Sequence, residues 1–278
     1  MVSSSELALT SLYPPTDFTG IRALKDAVTA KAASLDSGGQ YQYISLKNVG
    51  RRDFDLIEAN RKKLGGAVRL TYFPDIETLI IKVTSGDQEA AHANFGLRIS
   101  NKVHRMNMLH LGFYALGATT YTGPTNSSKE CDSSYINKLL RGRGWPNLVI
   151  EAGLSESMPR LQADAAWLFE NSNGAVRLVL LIKIDVQRKT ITIEKHDRTW
   201  GPSTRSNPQG LWRPRKLRTI ILNQQVNPAT IQVVGGNATP PLTLEFELMF
   251  GRPPNPPLER DITLTDAELL EWSWAIFL

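Results

Sequence analysis

The chain has 278 residues, 41% hydrophobic and 21% charged, with a formal net charge of +5. This is ordinary globular composition, long enough for one large domain or two small ones with a proper core. A single cysteine, Cys131, excludes an internal disulfide and a Cys-rich zinc site. No apolar run approaches the roughly 20 residues that span a bilayer.

Residues 1–20 are rich in Ser, Thr and Pro and read as loose at the start. They lack the basic and apolar regions of a secretion signal, so a cytoplasmic or nuclear location is expected. A short helix is predicted over 21–33, with Leu24, Ala27 and Val28 on one face. A second is predicted over 53–64, with Leu56, Ile57 and Leu64 inward and Gly65-Gly66 stopping it. Residues 68–73 and 78–84 read as a hairpin turning at Pro74-Asp75. The longest helical pattern runs over 87–111, where Phe95, Ile99, Val103 and Met106 recur at spacings of three and four. Asp87 is its expected N-cap.

A strand is expected over 118–122, a polar loop over 123–129 and a buried strand over 148–152. A helix over 157–169 carries Leu161, Ala165 and Leu168 on one face. Strands over 175–186 and 190–194 form another hairpin. The arginine-rich stretch 198–216 reads as an exposed connection. Strands follow over 217–222, 231–234 and 242–249, and the helix over 265–275 opens with Thr265 and Glu268 as a capping box. A mixed sheet covered by helices fits this order.

Three charged residues in apolar or turn surroundings carry the chemistry. Glu151 directly follows an apolar strand core, so it is expected where the strand emerges at its carboxyl end, the rim at which α/β sheets bind ligands. Asp132 precedes it by a loop, and the two could share one hard cation such as Mg²⁺, which takes one or two carboxylates. Lys183, in the apolar run 178–184, shares a strand face with Leu181 and Asp185 and could polarise a phosphate. Each also has a plain structural reading, as a strand-end carboxylate, a turn former and a solvated strand lysine. Arg141, Arg143 and Trp145, and a second cluster of Trp212, Arg213, Arg215, Lys216 and Arg218, interleave cations with aromatic rings, as phosphates and unstacked bases would require. A solvated loop is the plainer explanation. Asp164 lies one turn from Arg160, the spacing of an i,i+4 ion pair. Ser155 or Ser157 is the expected N-cap of that helix.

The passages Lys129-Glu130-Cys131-Asp132, Leu148-Val149-Ile150-Glu151-Ala152-Gly153 and Leu161-Gln162-Ala163-Asp164-Ala165 resemble a family of uncharacterised fungal proteins. That family is similar in turn to bacterial candidate restriction endonucleases of the PD-(D/E)XK nuclease superfamily. The resemblance covers roughly residues 75–275. It implies a PD-(D/E)XK nuclease-like α/β fold with a central mixed sheet flanked by helices. Residues 53–278 would form that domain and residues 1–52 an N-terminal extension. It further implies that Asp132 and Glu151 are the metal-binding carboxylates, holding Mg²⁺ to hydrolyse phosphodiester bonds of DNA or RNA. The motif lysine is replaced by Gly153, which leaves Lys183 as its substitute. Glu89 and His92, on the long helix, fall where such folds place an extra acidic or polar helper, and Arg160 lies on the helix after the motif. The missing lysine motivates a second expectation, a repurposed protein that uses the same pocket for a small molecule. A third is a homodimer formed through a sheet edge or the C-terminal helix.

Overall fold

The computed structural model describes residues 2–39, 41–154, 158–202, 210–236 and 239–278. In chain order the elements are α1 (Ser4–Leu7), β1 (Thr16–Asp17), α2 (Ile21–Asp36), β2 (Tyr43–Lys47), α3 (Arg51–Asn60), β3 (Val68–Phe73), β4 (Thr78–Val83) and α4 (Gly86–His104). Then come β5 (Tyr114–Ala115), β6 (Thr120–Thr122), β7 (Ser128–Glu130), β8 (Ser133–Ile136), α5 (Lys138–Arg141), β9 (Leu148–Leu154), α6 (Met158–Asn171), β10 (Leu178–Asp185) and β11 (Thr190–Gly201). The chain closes with β12 (Leu211–Asn223), β13 (Thr230–Val234), β14 (Leu242–Leu244), α7 (Phe246–Phe250), β15 (Ile262–Leu264) and α8 (Asp266–Ile276).

Among the described residues the strands form a sheet of order β1-β2-β4-β3-β7-β6, a larger one of order β13-β12-β11-β10-β9-β8-β5, and a β14-β15 pair. Both large sheets are mixed: β1 runs parallel to β2 and β9 parallel to β10, while the other neighbours are antiparallel. The fold is therefore α/β, with a central mixed sheet flanked by helices. Alternation along β9 decides which helix covers which face. Leu148, Ile150, Ala152 and Leu154 join the core that includes Phe95 and Ile99 of α4. Val149 joins a second core with Leu161, Ala165 and Leu168 of α6.

One short segment, Cys131-Asp132, carries the chain from β7 in the smaller sheet to β8 in the larger. Residues 123–129, expected as a polar loop, include most of β7, whose three polar side chains are all buried. The first 52 residues contribute β1, α2 and β2 to the smaller sheet and its cover, and β2 lies hydrogen-bonded to β4. The start of the chain is also ordered: α1 closes with a full capping box, and Leu7 and Ala8 are buried.

Several boundaries differ from expectation for identifiable reasons. α4 is capped by Ser85, whose hydroxyl accepts from the Gln88 amide, and not by Asp87. It ends at His104 because Asn107 takes a left-handed turn at φ 55° soon after, which leaves Leu109 exposed. On α3, Phe54 and Ile57 face inward whereas Leu56 is exposed. Within the stretch 198–216, residues 198–201 and 211–216 extend the β11–β12 ladder instead of looping, and residues 203–209 lie outside the described residues. Residues 246–250 turn helical after β14. The capping box at Thr265 and Glu268 is present. Residues 155 and 157, where an N-cap was expected for α6, lie outside the described residues.

Gly96, in the middle of α4, is required by packing. A Cβ there would lie 1.7 Å from the Tyr135 hydroxyl and 2.8 Å from its ring carbon. Tyr135 cannot retreat easily, because its ring is stacked on Phe113 with centroids 4.6 Å apart. Gly96→Ala should therefore destabilise the protein by about 1–3 kcal/mol, although alanine is the better helix former. Urea unfolding of this variant, and partial relief when Tyr135→Phe is added, checks the assignment.

Candidate functional site

The crossover segment brings charged side chains of both sheets and of α4 to one place. Asp132 stands on the crossover, Glu151 in the middle of β9, Lys82 on β4 and Lys129 on β7. All four are buried, with the two carboxylate side chains fully inaccessible. Glu151 was expected at the end of its strand. β9 runs three residues further, so Glu151 is internal and on the α6 side.

The Lys82 ammonium lies 2.5 Å from Asp132 Oδ2, 2.6 Å from the Ala152 carbonyl oxygen and 3.8 Å from Glu151 Oε2. Three oxygens thus converge on one cation. Lys129 Nζ lies 3.4 Å from Glu151 Oε1 and 3.0 Å from Asp164 Oδ2. Asp132 Oδ2 also accepts the Ala152 amide at 2.8 Å, and the Gln88 side-chain amide approaches both Asp132 oxygens at 3.3 Å. Gln42 connects Gln88 to the Leu154 amide, donating to the former at 3.0 Å and accepting from the latter at 2.8 Å.

The electrostatics follow from this geometry. Burial would raise the Asp132 carboxyl, but the Lys82 ammonium, His92 and the Ala152 amide hold it well below the usual carboxylate range. Burial opposes the charge on Lys129, yet Asp164 and Glu151 outweigh it and raise its affinity for the proton. Glu151 is the odd member. Lys82 is hydrogen-bonded to Asp132 and Lys129 pairs most closely with Asp164, so two ammoniums face three carboxylates. Among the described residues neither Glu151 oxygen has a hydrogen-bond donor. Burial pushes its pKa up to about 8, against the pull of Lys129 and with the repulsion of Asp132.

Glu89 and His92 of α4 flank the cluster. His92 Nδ1 is 2.8 Å from Ser133 Oγ and its Nε2 is 3.2 Å from Glu89 Oε2. Glu89 also accepts from Arg69 at 2.9 Å, and Arg69 Nε lies 4.0 Å from Asp132. The Glu89 side chain is 39% exposed, which makes it the solvent edge of an otherwise sealed cluster. Cys131, beside Asp132, is a buried thiol whose pKa burial drives up.

Not every expected site residue joins. Lys183 is the register partner of Gly153 on the neighbouring strand, but its ammonium reaches neither carboxylate among the described contacts. The ammoniums at the carboxylates come from Lys82 and Lys129 of the other sheet. Arg160 is buried and donates to the Ala8 carbonyl oxygen at 2.6 Å, with its guanidinium 5.1 Å from the Tyr13 ring centre. It makes no ion pair with Asp164, which belongs to Lys129. Trp145 is half-buried against the second core, stacked on Tyr121 at 5.0 Å. Arg143 is exposed and Arg141 half-buried, near the amino end of β9. Two cations of the second basic cluster are ion-paired internally, Arg215 in a fork on Asp197 and Lys216 with Glu194, while Arg218 is fixed by donating to the carbonyls of Pro240 and Pro241.

Lys82 was legible in principle. It sits in Ile80-Ile81-Lys82-Val83, the same pattern of a lysine inside an apolar strand that singled out Lys183. Gln42 and Lys129 carried no comparable signal. Among the described residues no group of three or more His, Cys, Asp or Glu side chains has metal-binding geometry.

No family model and no curated protein matches this chain. Among solved structures it is similar to a protein of Anabaena variabilis described as a candidate nuclease belonging to DUF820. The two share 15% identity at a TM-score of 0.40, over 73% of this chain and 90% of that one.

Proposed function

We propose that the chain is a divalent-cation-dependent phosphodiesterase of the nuclease type, acting on DNA or RNA, with Asp132 and Glu151 as the cation-binding carboxylates. The observation that supports this most is the unmatched Glu151. A buried carboxylate without a hydrogen bond is costly unless protonated or given a cation, and this one faces an oxygen-lined cradle shared with Asp132 and the Ala152 carbonyl. Oxygen ligands of this kind suit Mg²⁺. The motif resemblance of Asp132 and Glu151 points the same way. When bound, Mg²⁺ would activate a water and stabilise the leaving oxygen. The chain's own residues would do the rest. Lys129, kept protonated by Asp164, stands beside Glu151 in the lysine role that Gly153 vacates. Glu89 and His92 line the approach from solvent.

The reading is tested by incubating the folded protein with plasmid DNA, single-stranded DNA and RNA, with Mg²⁺ or Mn²⁺. Cleavage that is abolished by a chelator and by Glu151→Gln is expected. Absence of cleavage of every polymer with every cation would overturn it. One observation favours a second, non-hydrolytic reading: the Lys82 ammonium already stands between Asp132 Oδ2 and the Ala152 carbonyl. In that reading Lys82 is the resident cation, and calorimetry would detect no Mg²⁺ binding at millimolar concentration.

A further inference from the structure

Away from the carboxylates, at the amino ends of β9 and β10, three half-buried arginines gather without an anion. Arg141 ends α5, Arg177 immediately precedes β10 and Arg198 lies on β11. Among the described residues none of them is ion-paired with a carboxylate. Arg141 donates to the Ala175 carbonyl at 2.7 Å and Arg177 to the Glu247 carbonyl at 3.3 Å, contacts that fix the guanidiniums but leave their charge uncompensated. Burial, together with mutual repulsion from Arg177, holds both Arg141 and Arg198 below the usual guanidinium range, Arg198 at about 10.

Glycine backbone approaches these groups at two points. A Cβ on Gly251 (φ 75°) would lie 3.2 Å from Asn147 Nδ2, 3.8 Å from Arg177 Cζ and 3.9 Å from Arg141 Nη2. A Cβ on Gly174 (φ 72°) would lie 2.5 Å from Arg198 Nη1 and 2.6 Å from Trp212 Nε1. The left-handed backbone already favours glycine at both positions, and the missing side chains also keep the donors uncovered. Asn147 supplies an independent observation. It is fully buried, its Oδ1 accepts the Asn137 amide at 3.2 Å, and its Nδ2, beside the same glycine as two of the arginines, has no acceptor among the described residues. A buried amide donor left without a partner is expensive.

We propose that Arg141, Arg177 and Arg198, with Asn147 Nδ2, form an oxyanion site that takes a phosphate group. Planar guanidinium forks match the geometry of phosphate oxygens, and charge-assisted bonds are the strong ones. The site does not depend on the reading of Asp132 and Glu151, because it shares no residue with that cluster.

Calorimetric titration with inorganic phosphate at constant ionic strength tests the proposal. Saturable binding to the wild-type protein is expected, weakened at least about tenfold by Arg177→Gln or Arg198→Gln, the scale of one charge-assisted hydrogen bond. No saturable binding by the wild type, or equal affinity in a folded Arg177→Gln/Arg198→Gln double variant, would overturn it. Competition by a 5′-phosphorylated but not a 5′-hydroxyl oligonucleotide identifies the ligand as a polynucleotide end. Competition by neither identifies free phosphate.

Discussion

Replacing Lys82 with methionine is expected to destabilise the fold by about 3–5 kcal/mol, the usual cost of removing one partner from a buried ion pair. Methionine keeps most of the volume but loses the charge and the hydrogen bonds to Asp132 and the Ala152 carbonyl. Asp132 and Glu151, both fully buried, would then face each other without the ammonium that separates them. The change should appear in urea unfolding as a lower midpoint at an unchanged m-value. The same variant takes the resident positive charge out of the oxygen-lined cradle. Millimolar Mg²⁺ should therefore restore more stability to Lys82→Met than it adds to wild type, by ordinary binding linkage. Equal response of the two proteins would mean that the cradle takes no metal, which would favour Lys82 as a permanent resident.

The second large effect is a fall in stability as pH rises from 4.5 to about 8. Glu151 titrates at about 8 in the folded protein against an ordinary value of 4.5, so between those values the folded state keeps a proton that the unfolded chain has released. Its contribution is fully present below pH 4.5 and is lost as pH rises through about 8, with a slope of up to about 1.4 kcal/mol per pH unit. Asp132 acts in the opposite sense. Its carboxyl is held below its ordinary 3.8, so its contribution is present above that value and lost as pH falls beneath it. The two together place the stability maximum in mildly acidic solution. Glu151→Gln should flatten the alkaline limb and leave the acidic limb unchanged in urea unfolding across a pH series. A wild-type curve that is level from pH 5 to 8 would mean that Glu151 is ionised in the fold. A cation bound at Glu151 would release its proton, so Mg²⁺ should bind more tightly as pH rises.

The carboxylate pair was readable because each member stands out against its local pattern: Glu151 breaks an apolar strand, and Asp132 sits in a recognisable motif. Their lysine partners were harder. Lys183 looked right because it interrupts an apolar strand run, yet a strand of the same sheet is not the only source of an ammonium. Lys82 and Lys129 arrive from the other sheet, and that meeting exists only once β7 crosses to β8. β7 itself is invisible to hydrophobic periodicity, since Ser128, Lys129 and Glu130 are all polar and all buried. The β11–β12 extension was missed for a related reason: alternating arginines and apolar residues on a long ladder resemble a solvated loop when the partner strand is unknown. The segment 246–250 is apolar at almost every position, so neither a twofold nor a 3.6-residue period distinguishes it. Helix α8 was placed correctly because its capping chemistry is local.

The pairing of β8 with β9 stops at Ile150, and the next two amides on that edge, Ala152 and Leu154, donate instead to the side chains of Asp132 and Gln42. Hydrogen–deuterium exchange at these two backbone positions therefore reports on side-chain chemistry. Ala152 should exchange slowly while Asp132 remains a carboxylate and faster once acid or Asp132→Ala removes the acceptor, with Ile150 as an internal reference held by the strand ladder.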